Sequence, residues 1–314
     1  MLVFVAWWEM YTFEQTIVRP VMCAGIGVHT GAKTRLSLAP AKSGFGIRFR
    51  RSDLAAHDIK AHVSNVSASA YGTSLSNSAG EWVATVEHIL AACIGMGIDN
   101  VLIEVDGPEV PIMDGSSSVF CELIEMAGLI EQNAPRKLIR ILKPVAVQNG
   151  VKSARLSPSI SDQLTVKAMI DFENQVIGTQ RASLRLSPGA FYRDLSFART
   201  FGLYKDVDAL QARGLALGGS LDNAIIVDEN NVVNPEGLRS QDEFVRHKLL
   251  DAVGDLALAG GVIAGLYEAE QPGHALNIEL VQKLMDTPDA WCWETMQESE
   301  TVPASKISQS AAHF

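Results

Sequence analysis

Cysteine is scarce. Only Cys23, Cys93, Cys121 and Cys292 occur in 314 residues, and no two form a CxxC pair. This spacing excludes a disulfide framework and implies free thiols in a reducing compartment. Positive charge is also short. Lys and Arg number 26 against 36 Asp and Glu, for a net charge of -10. A nucleic-acid binder that works by neutralising phosphates is therefore not expected, although a local basic pocket for an anionic small molecule remains open. No apolar run approaches a membrane span. The N-terminal MLVFVAWWEM is too short, and it lacks the basic flank and small-residue cleavage site of a signal peptide. It reads as a surface-lying segment or as an over-long start with Met10 as initiator. The chain as a whole reads as a soluble cytoplasmic protein. No HExxH occurs, which removes the commonest signature of a zinc peptidase. The glycines of GIGVHTG, residues 25–31, are followed by neither Lys-Ser/Thr nor a helical pattern. A glycine-rich hairpin turn is preferred there to a phosphate loop.

What is present is a globular pattern, 47% apolar and long enough for one large core or two ordinary ones. Strands are expected at 34–38, 46–49 and 59–63, then a loop or short hairpin over the Ser-rich 64–78. Helix 83–94, strand 100–105, a turn at Asp114-Gly115 and helix 117–129 follow. After a boundary near 131–135 the order recurs. Strands are expected at 138–147, 153–156, 164–171 and 182–186, then helix 242–258, strand 262–268 and helix 274–285. Segregated strands and helices predict an α+β class rather than a doubly wound sheet. The recurrence predicts two domains of similar topology, 21–133 and 134–290. Residues 1–20 are set aside as an extension and 291–314 as a polar tail expected to be disordered. The segment 197–228, broken by Gly214, Gly218 and Gly219, reads as a substrate-covering insertion.

The chemistry concentrates on the predicted helix FVRHKLLDAVGD, residues 244–255. His247 and Asp251 lie four apart and share one helical face. Asp255 follows one turn later and Lys248 sits beside the first candidate ligand. The other positions are largely apolar, so these polar groups need partners, and a metal ion is one kind. Far upstream, TVEHILAA (85–92) places Glu87 next to His88, with Thr85 as a helix cap. Gly273-His274 opens the last helical stretch. Two histidines, an aspartate and a free glutamate compose the donor set of a catalytic zinc site. Each feature also has a plainer reading. The His247–Asp251 pair suits a salt-bridged helix, and His274 suits an ordinary helix start. Glu87 and His88, being adjacent, point to different faces. His29, His57, His62 and His313 read as ordinary polar residues.

Longer stretches narrow the choice. GIGVHTG, TVEHILAA, GIDNVLIEVDGPEVPIMDGSS, ARTFGLYKDVDALQARGLALGGSLDNAIIVD, NPEGLRSQDEFVRHKLLDAVGDL and GHALN run in order between residues 21 and 285. In these stretches the chain resembles the UDP-3-O-acyl-N-acetylglucosamine deacetylases, zinc amidases of lipid A biosynthesis. The resemblance implies one catalytic Zn2+ held by His88, His247 and Asp251, with Glu87 as general base. It implies His274 as the charged partner held by Asp255, Thr200 at the oxyanion, and Lys248 as added positive charge. It implies α+β domains of like topology, with helices layered between sheets and one insertion in each. The second insertion would form an apolar passage for the acyl chain around Phe201, Leu203 and Leu210. Lys152 and Lys248 are the candidates to meet the diphosphate. The implied partner is a UDP-linked acylated amino sugar, with no nucleic acid and no integral membrane segment, and a monomer is expected. Residues before Met10 have no counterpart in the family, 67–78 match loosely, and DFENQVIGTQ (171–180) departs from the usual proline-containing form. The alternatives are a zinc amidase on another acylated substrate and a non-enzymatic sugar-nucleotide binder. The intact set Glu87, His88, His247, Asp251 and His274 disfavours the binder, because a decayed enzyme would lose some of it.

Overall fold

A computed structural model describes residues 11–55, 57–68 and 70–296. In chain order the first half contains β1 (Phe13–Ile17), β2 (Val21–Ile26), β3 (Lys33–Pro40), β4 (Ile47–Arg51), β5 (Asp58–Lys60), β6 (Val66–Ala68), β7 (Ser74–Ser76), β8 (Trp82–Val83), α1 (Glu87–Met96), β9 (Val101–Val105), α2 (Ser118–Ala127) and β10 (Leu129–Pro135). The second half contains β11 (Lys137–Ile141), β12 (Val145–Asn149), β13 (Lys152–Ser157), β14 (Leu164–Asp171), β15 (Thr179–Arg185), α3 (Pro188–Asp194), β16 (Phe201–Leu203), α4 (Tyr204–Ala212), β17 (Ile225–Val227), α5 (Glu243–Leu256), β18 (Val262–Glu270), α6 (His274–Met285) and β19 (Trp291–Thr295).

The architecture is α+β, and one connectivity occurs twice. In the first half the order is β2-β3-β9-β4-β5. The hairpin β2–β3 lies antiparallel to β9, β9 runs parallel to β4, and β4 is antiparallel to β5. In the second half the hairpin β12–β13 lies antiparallel to β18, β18 runs parallel to β14, and β14 is antiparallel to β15. Strands β11 and β19 extend that sheet. Each central strand, β9 or β18, is preceded and followed by a helix. Alternation makes one face of these strands apolar, as in KTRLSLAP of β3 and LTVKAMID of β14. The helices cover those faces: α6 packs on β12 and β13, and α5 on β14 and β15. Helix α1 packs against α5, and one hydrophobic cluster extends through both halves. Short elements are added in each half, β6 to β8 in the first and β16, α4 and β17 in the second.

Several expectations shift. The helix expected at 83–94 starts at Glu87. Val83 pairs with Leu75, and Ala84 donates to the Pro108 carbonyl and accepts from Val110 N–H, so this stretch is extended. Thr85 does not cap the helix. It has φ 57°, and its hydroxyl donates to Glu109 at 2.8 Å. The strand expected at 138–147 is two strands, with Pro144, which has no ladder donor, between them. Residues 13–17, inside the supposed extension, form β1, which pairs with β10 across the boundary expected at 131–135. The first residues of the supposed tail, Trp291–Thr295, form β19 on the edge of the second sheet. The N-terminal apolar run and most of the tail lie outside the described residues. The hairpin turn expected at GIGVHTG is present between β2 and β3. Buried Glu109 holds it by accepting from His29 N, Thr30 N and the Thr30 hydroxyl. No described helix is long and apolar enough to cross a membrane.

Helices α1 and α5 meet at Gly254, where an added Cβ would lie 2.1 Å from the Glu87 carbonyl oxygen. A backbone neighbour cannot yield as a side chain can. We predict that Gly254→Ala forces the helices apart and costs about 1–3 kcal/mol by overpacking, seen as a lowered urea midpoint. An unchanged midpoint would show that the contact is slack.

Candidate metal centre

Three side chains from two helices converge where α1 crosses α5. His88, His247 and Asp251 are all buried, and one donor atom from each lies within 4.8 Å of the others. Asp251 Oδ1 is 3.3 Å from His247 Nε2 and 3.6 Å from His88 Nε2. The imidazoles meet edge-on, with centroids 5.1 Å apart. Asp251 Oδ1 has no hydrogen-bond partner. A buried carboxylate oxygen left in this way is costly unless a cation completes it. His247 Nδ1 lies 3.1 Å from the Ala198 carbonyl, which fixes the proton on Nδ1 and leaves the Nε2 lone pair free. Burial, only partly offset by Asp251, pushes the His247 pKa down to about 3, so the ring is neutral. Burial alone would raise Asp251, yet the Lys248 ammonium and the His274 imidazolium hold its carboxyl well below the usual range. The neutral His247 ring, the His88 imidazole and an ionised carboxylate are a donor set that fits a divalent metal ion.

The remaining charges surround this cluster. Lys248 Nζ donates to Asp251 Oδ2 at 2.9 Å and sits 5.4 Å from the Phe201 ring centroid. Glu87, at the first turn of α1, is buried. Thr73 N–H donates to its Oε2 at 2.9 Å, and its Oε1 is 3.6 Å from His274 Nε2. Burial raises the Glu87 carboxyl above its ordinary pKa, while His274 and His88 pull it back. His274 Nδ1 donates to Asp255 Oδ2 at 2.9 Å. Burial would lower the His274 pKa, but Asp255, Glu87 and Asp251 outweigh it and hold the imidazole up at about 10. His274 is therefore an imidazolium whose second N–H faces Glu87 and Asp251.

Glu87, His88, His247, Lys248, Asp251 and His274 line part of a cavity of about 530 Å³. Thr200, Phe201, Leu203 and Leu210 line the rest, so every one of these four expected residues lies on one surface with the metal cluster. Phe201 is fixed edge-on between Phe172 and Phe244. Lys152 is elsewhere. It lines a neighbouring cleft of about 940 Å³ that shares Leu203, Tyr204 and Lys248 with the cavity.

Other residues complete the site without having been singled out from sequence. Thr73 bridges two acids, because its hydroxyl also donates to Asp255 Oδ1 at 2.6 Å. Its loop carried no periodic signal. Asn277 donates to Asp255 Oδ2 at 2.9 Å and is itself held by the Tyr267 hydroxyl at 2.6 Å. Asn277 stands three residues after His274, on the same helical face, and that spacing was available to be read. Arg199 Nε donates to Glu243 at 2.9 Å, both fully enclosed. Glu243 begins α5, so this pair docks residues 198–200 against the ligand helix and places the Ala198 carbonyl for His247. His29, read as an ordinary polar residue, lines the same cavity.

Comparison with known proteins places the chain in a family. The family model for UDP-3-O-acyl N-acetylglycosamine deacetylase (LpxC) matches residues 14–286. Three similar proteins are called UDP-3-O-acyl-N-acetylglucosamine deacetylase. That of Phenylobacterium zucineum is 46% identical over 288 residues, 91% of this chain and 98% of the relative. That of Shewanella frigidimarina is 44% identical over 296 residues, 93% and 96% of the two chains. That of Teredinibacter turnerae is 45% identical over 297 residues, 94% and 97%. With most of both chains aligned at this identity, the chain belongs to the UDP-3-O-acyl-N-acetylglucosamine deacetylase family.

Proposed function

We propose that the protein hydrolyses the acetamide of UDP-3-O-acyl-N-acetylglucosamine to acetate and UDP-3-O-acyl-glucosamine, an early step of lipid A biosynthesis. One zinc ion is held by His88, His247 and Asp251. The observation that carries the metal assignment is the partnerless Asp251 Oδ1 buried between two imidazole Nε2 atoms. The family match carries the substrate. The two like units, 21–133 and 134–290, each supply part of the site: Glu87 and His88 from the first, His247, Asp251 and His274 from the second. The enzyme acts in the cytoplasm as a monomer.

A zinc ion in this site supplies a water of lowered pKa and polarises the amide carbonyl. Glu87, whose carboxyl burial raises above its ordinary pKa, accepts the proton of the attacking water. As negative charge builds on the carbonyl oxygen, the Lys248 ammonium and the Thr200 hydroxyl stabilise it from the cavity wall. The departing amine needs a proton. The His274 imidazolium, oriented by Asp255, is placed to supply it or to stabilise the charge that develops. The acyl chain lies in the apolar passage lined by Phe201, Leu203 and Leu210. The diphosphate occupies the adjoining cleft, where Lys152 and Lys248 face it.

Three measurements test this reading. Purified wild type should carry about one zinc per chain, as a three-ligand site holds, and His247→Ala should carry far less; equal metal content by elemental analysis would remove His247 from the ligand set. Glu87→Ala should keep its zinc and lose roughly 10²- to 10⁴-fold in kcat. Near-normal turnover would move the base elsewhere. A buried methylene contributes up to about 0.8 kcal/mol, so a substrate lacking the 3-O-acyl chain should lose several orders of magnitude in kcat/KM. Leu203→Asp should weaken the acylated substrate far more than the des-acyl analogue, and equal turnover of the two by wild type would sink the substrate assignment.

A further inference from the structure

Residues 71–73 connect the roof of the apolar passage to the catalytic carboxylate in three consecutive contacts. Arg213, the residue that ends α4, donates through Nη1 to the Tyr71 hydroxyl at 2.6 Å, and its guanidinium carbon lies 5.0 Å from the Tyr71 ring centroid. Next along the chain, Gly72 packs on the acid. A Cβ there would lie 3.0 Å from Glu87 Oε1. Thr73 follows, its N–H on Glu87 Oε2 and its hydroxyl on Asp255. His29 braces the start of the run. Ala216 N–H donates to its Nδ1 at 3.4 Å, so Nε2 carries the proton and donates to the Tyr71 carbonyl at 3.0 Å.

Helix α4 is loosely held. None of its nine residues is buried, yet Tyr204, Val207 and Leu210 line the passage. An apolar chain in the passage would bury these side chains and so order the helix. Ordering α4 fixes Arg213, and through it Tyr71 and the segment that sets Glu87.

We infer that the Tyr71–Arg213 contact is a positioning device that transmits occupancy of the apolar passage to the placement of Glu87. Remote binding energy is thereby expressed in kcat as well as in KM. This rests on the acyl-substrate reading above. Arg213 touches neither the reacting atoms nor the metal cluster.

The test uses the full-length, zinc-loaded chain and its Arg213→Ala and Arg213→Lys variants. Each is assayed for kcat and KM on the acylated UDP-sugar and on its des-acyl analogue, with zinc content and thermal midpoint measured alongside. Sub-ångström misplacement of a base is expensive. Arg213→Ala should lose about tenfold or more in kcat on the acylated substrate only, with des-acyl kcat and zinc content unchanged. Arg213→Lys, which can still donate to the Tyr71 hydroxyl, should recover most of the loss. Tyr71→Phe, which keeps the ring but not the hydroxyl, should fall between the two. An acylated kcat unchanged in Arg213→Ala, a loss confined to KM, or an equal loss on both substrates would overturn the inference. Wild type that turns over both substrates equally would instead remove the acyl-substrate reading, and the coupling with it.

Discussion

The crossing of α1 over α5 at Gly254 is the constraint on which the site depends. The Glu87 carbonyl rests where a side chain would otherwise stand, so the two backbones meet there with no room for a Cβ between them. Only at that separation does His88, at the start of one helix, reach the face of the other that carries His247 and Asp251. These three candidate ligands, split between two helices, are then held with the rigidity of the core itself. The apolar residues around it, including Val86, Leu90, Leu250 and Val253, are fully enclosed.

That rigidity carries an electrostatic cost. Glu87, Asp251 and Asp255 are three carboxylates within the same buried region, and Lys248 and His274 are the cations that answer them. Taking so many charges out of water is expensive unless each has partners. Most do. Asp255 accepts from Thr73, His274 and Asn277, and Glu87 from Thr73. Asp251 Oδ1 is the exception among the carboxylates, Nδ1 of the neighbouring His88 ring also lacks a partner, and the unmet demand falls where two imidazole nitrogens converge. The same low-dielectric surroundings that make this oxygen costly make a cation bound there effective.

The two insertions stand in a different regime from the core. Elements β6 to β8 and β16, α4 and β17 are short, and α4 buries none of its residues. Leu75, Val83, Ile225 and Val227 anchor their strands in the core, while directed contacts, His29 with residues 71 and 216 and Arg199 with Glu243, hold the flanking loops. Helix α4, with no buried residue, is free to adjust where it borders the cavity, while His88, His247 and Asp251 are held in the core.

Much of this was legible in the chain because the signals were local. The i, i+4 spacing places His247 and Asp251 on one helical face whatever surrounds them, and alternation marks β3 and β14. The order of strands and helices, read twice, matches the connectivity that the two sheets share. Other features were not legible because they depend on partners distant in sequence. The first turn of the helix expected at 83–94 was lost because Ala84 pairs with the stretch 108–110, and Thr85 turned left-handed to serve Glu109. Strands β1 and β19 were missed because their pairing partners, β10 and β11, supply what their own short sequences do not signal. Thr73 meets Asp255 across 182 residues of chain. Sequence by itself determined that His247 and Asp251 share one helical face, since residue type and helical period are local properties. Only the tertiary structure decided that His88 joins His247 and Asp251, and which oxygen is left waiting, because those facts arise from close contact between segments that the chain order keeps far apart.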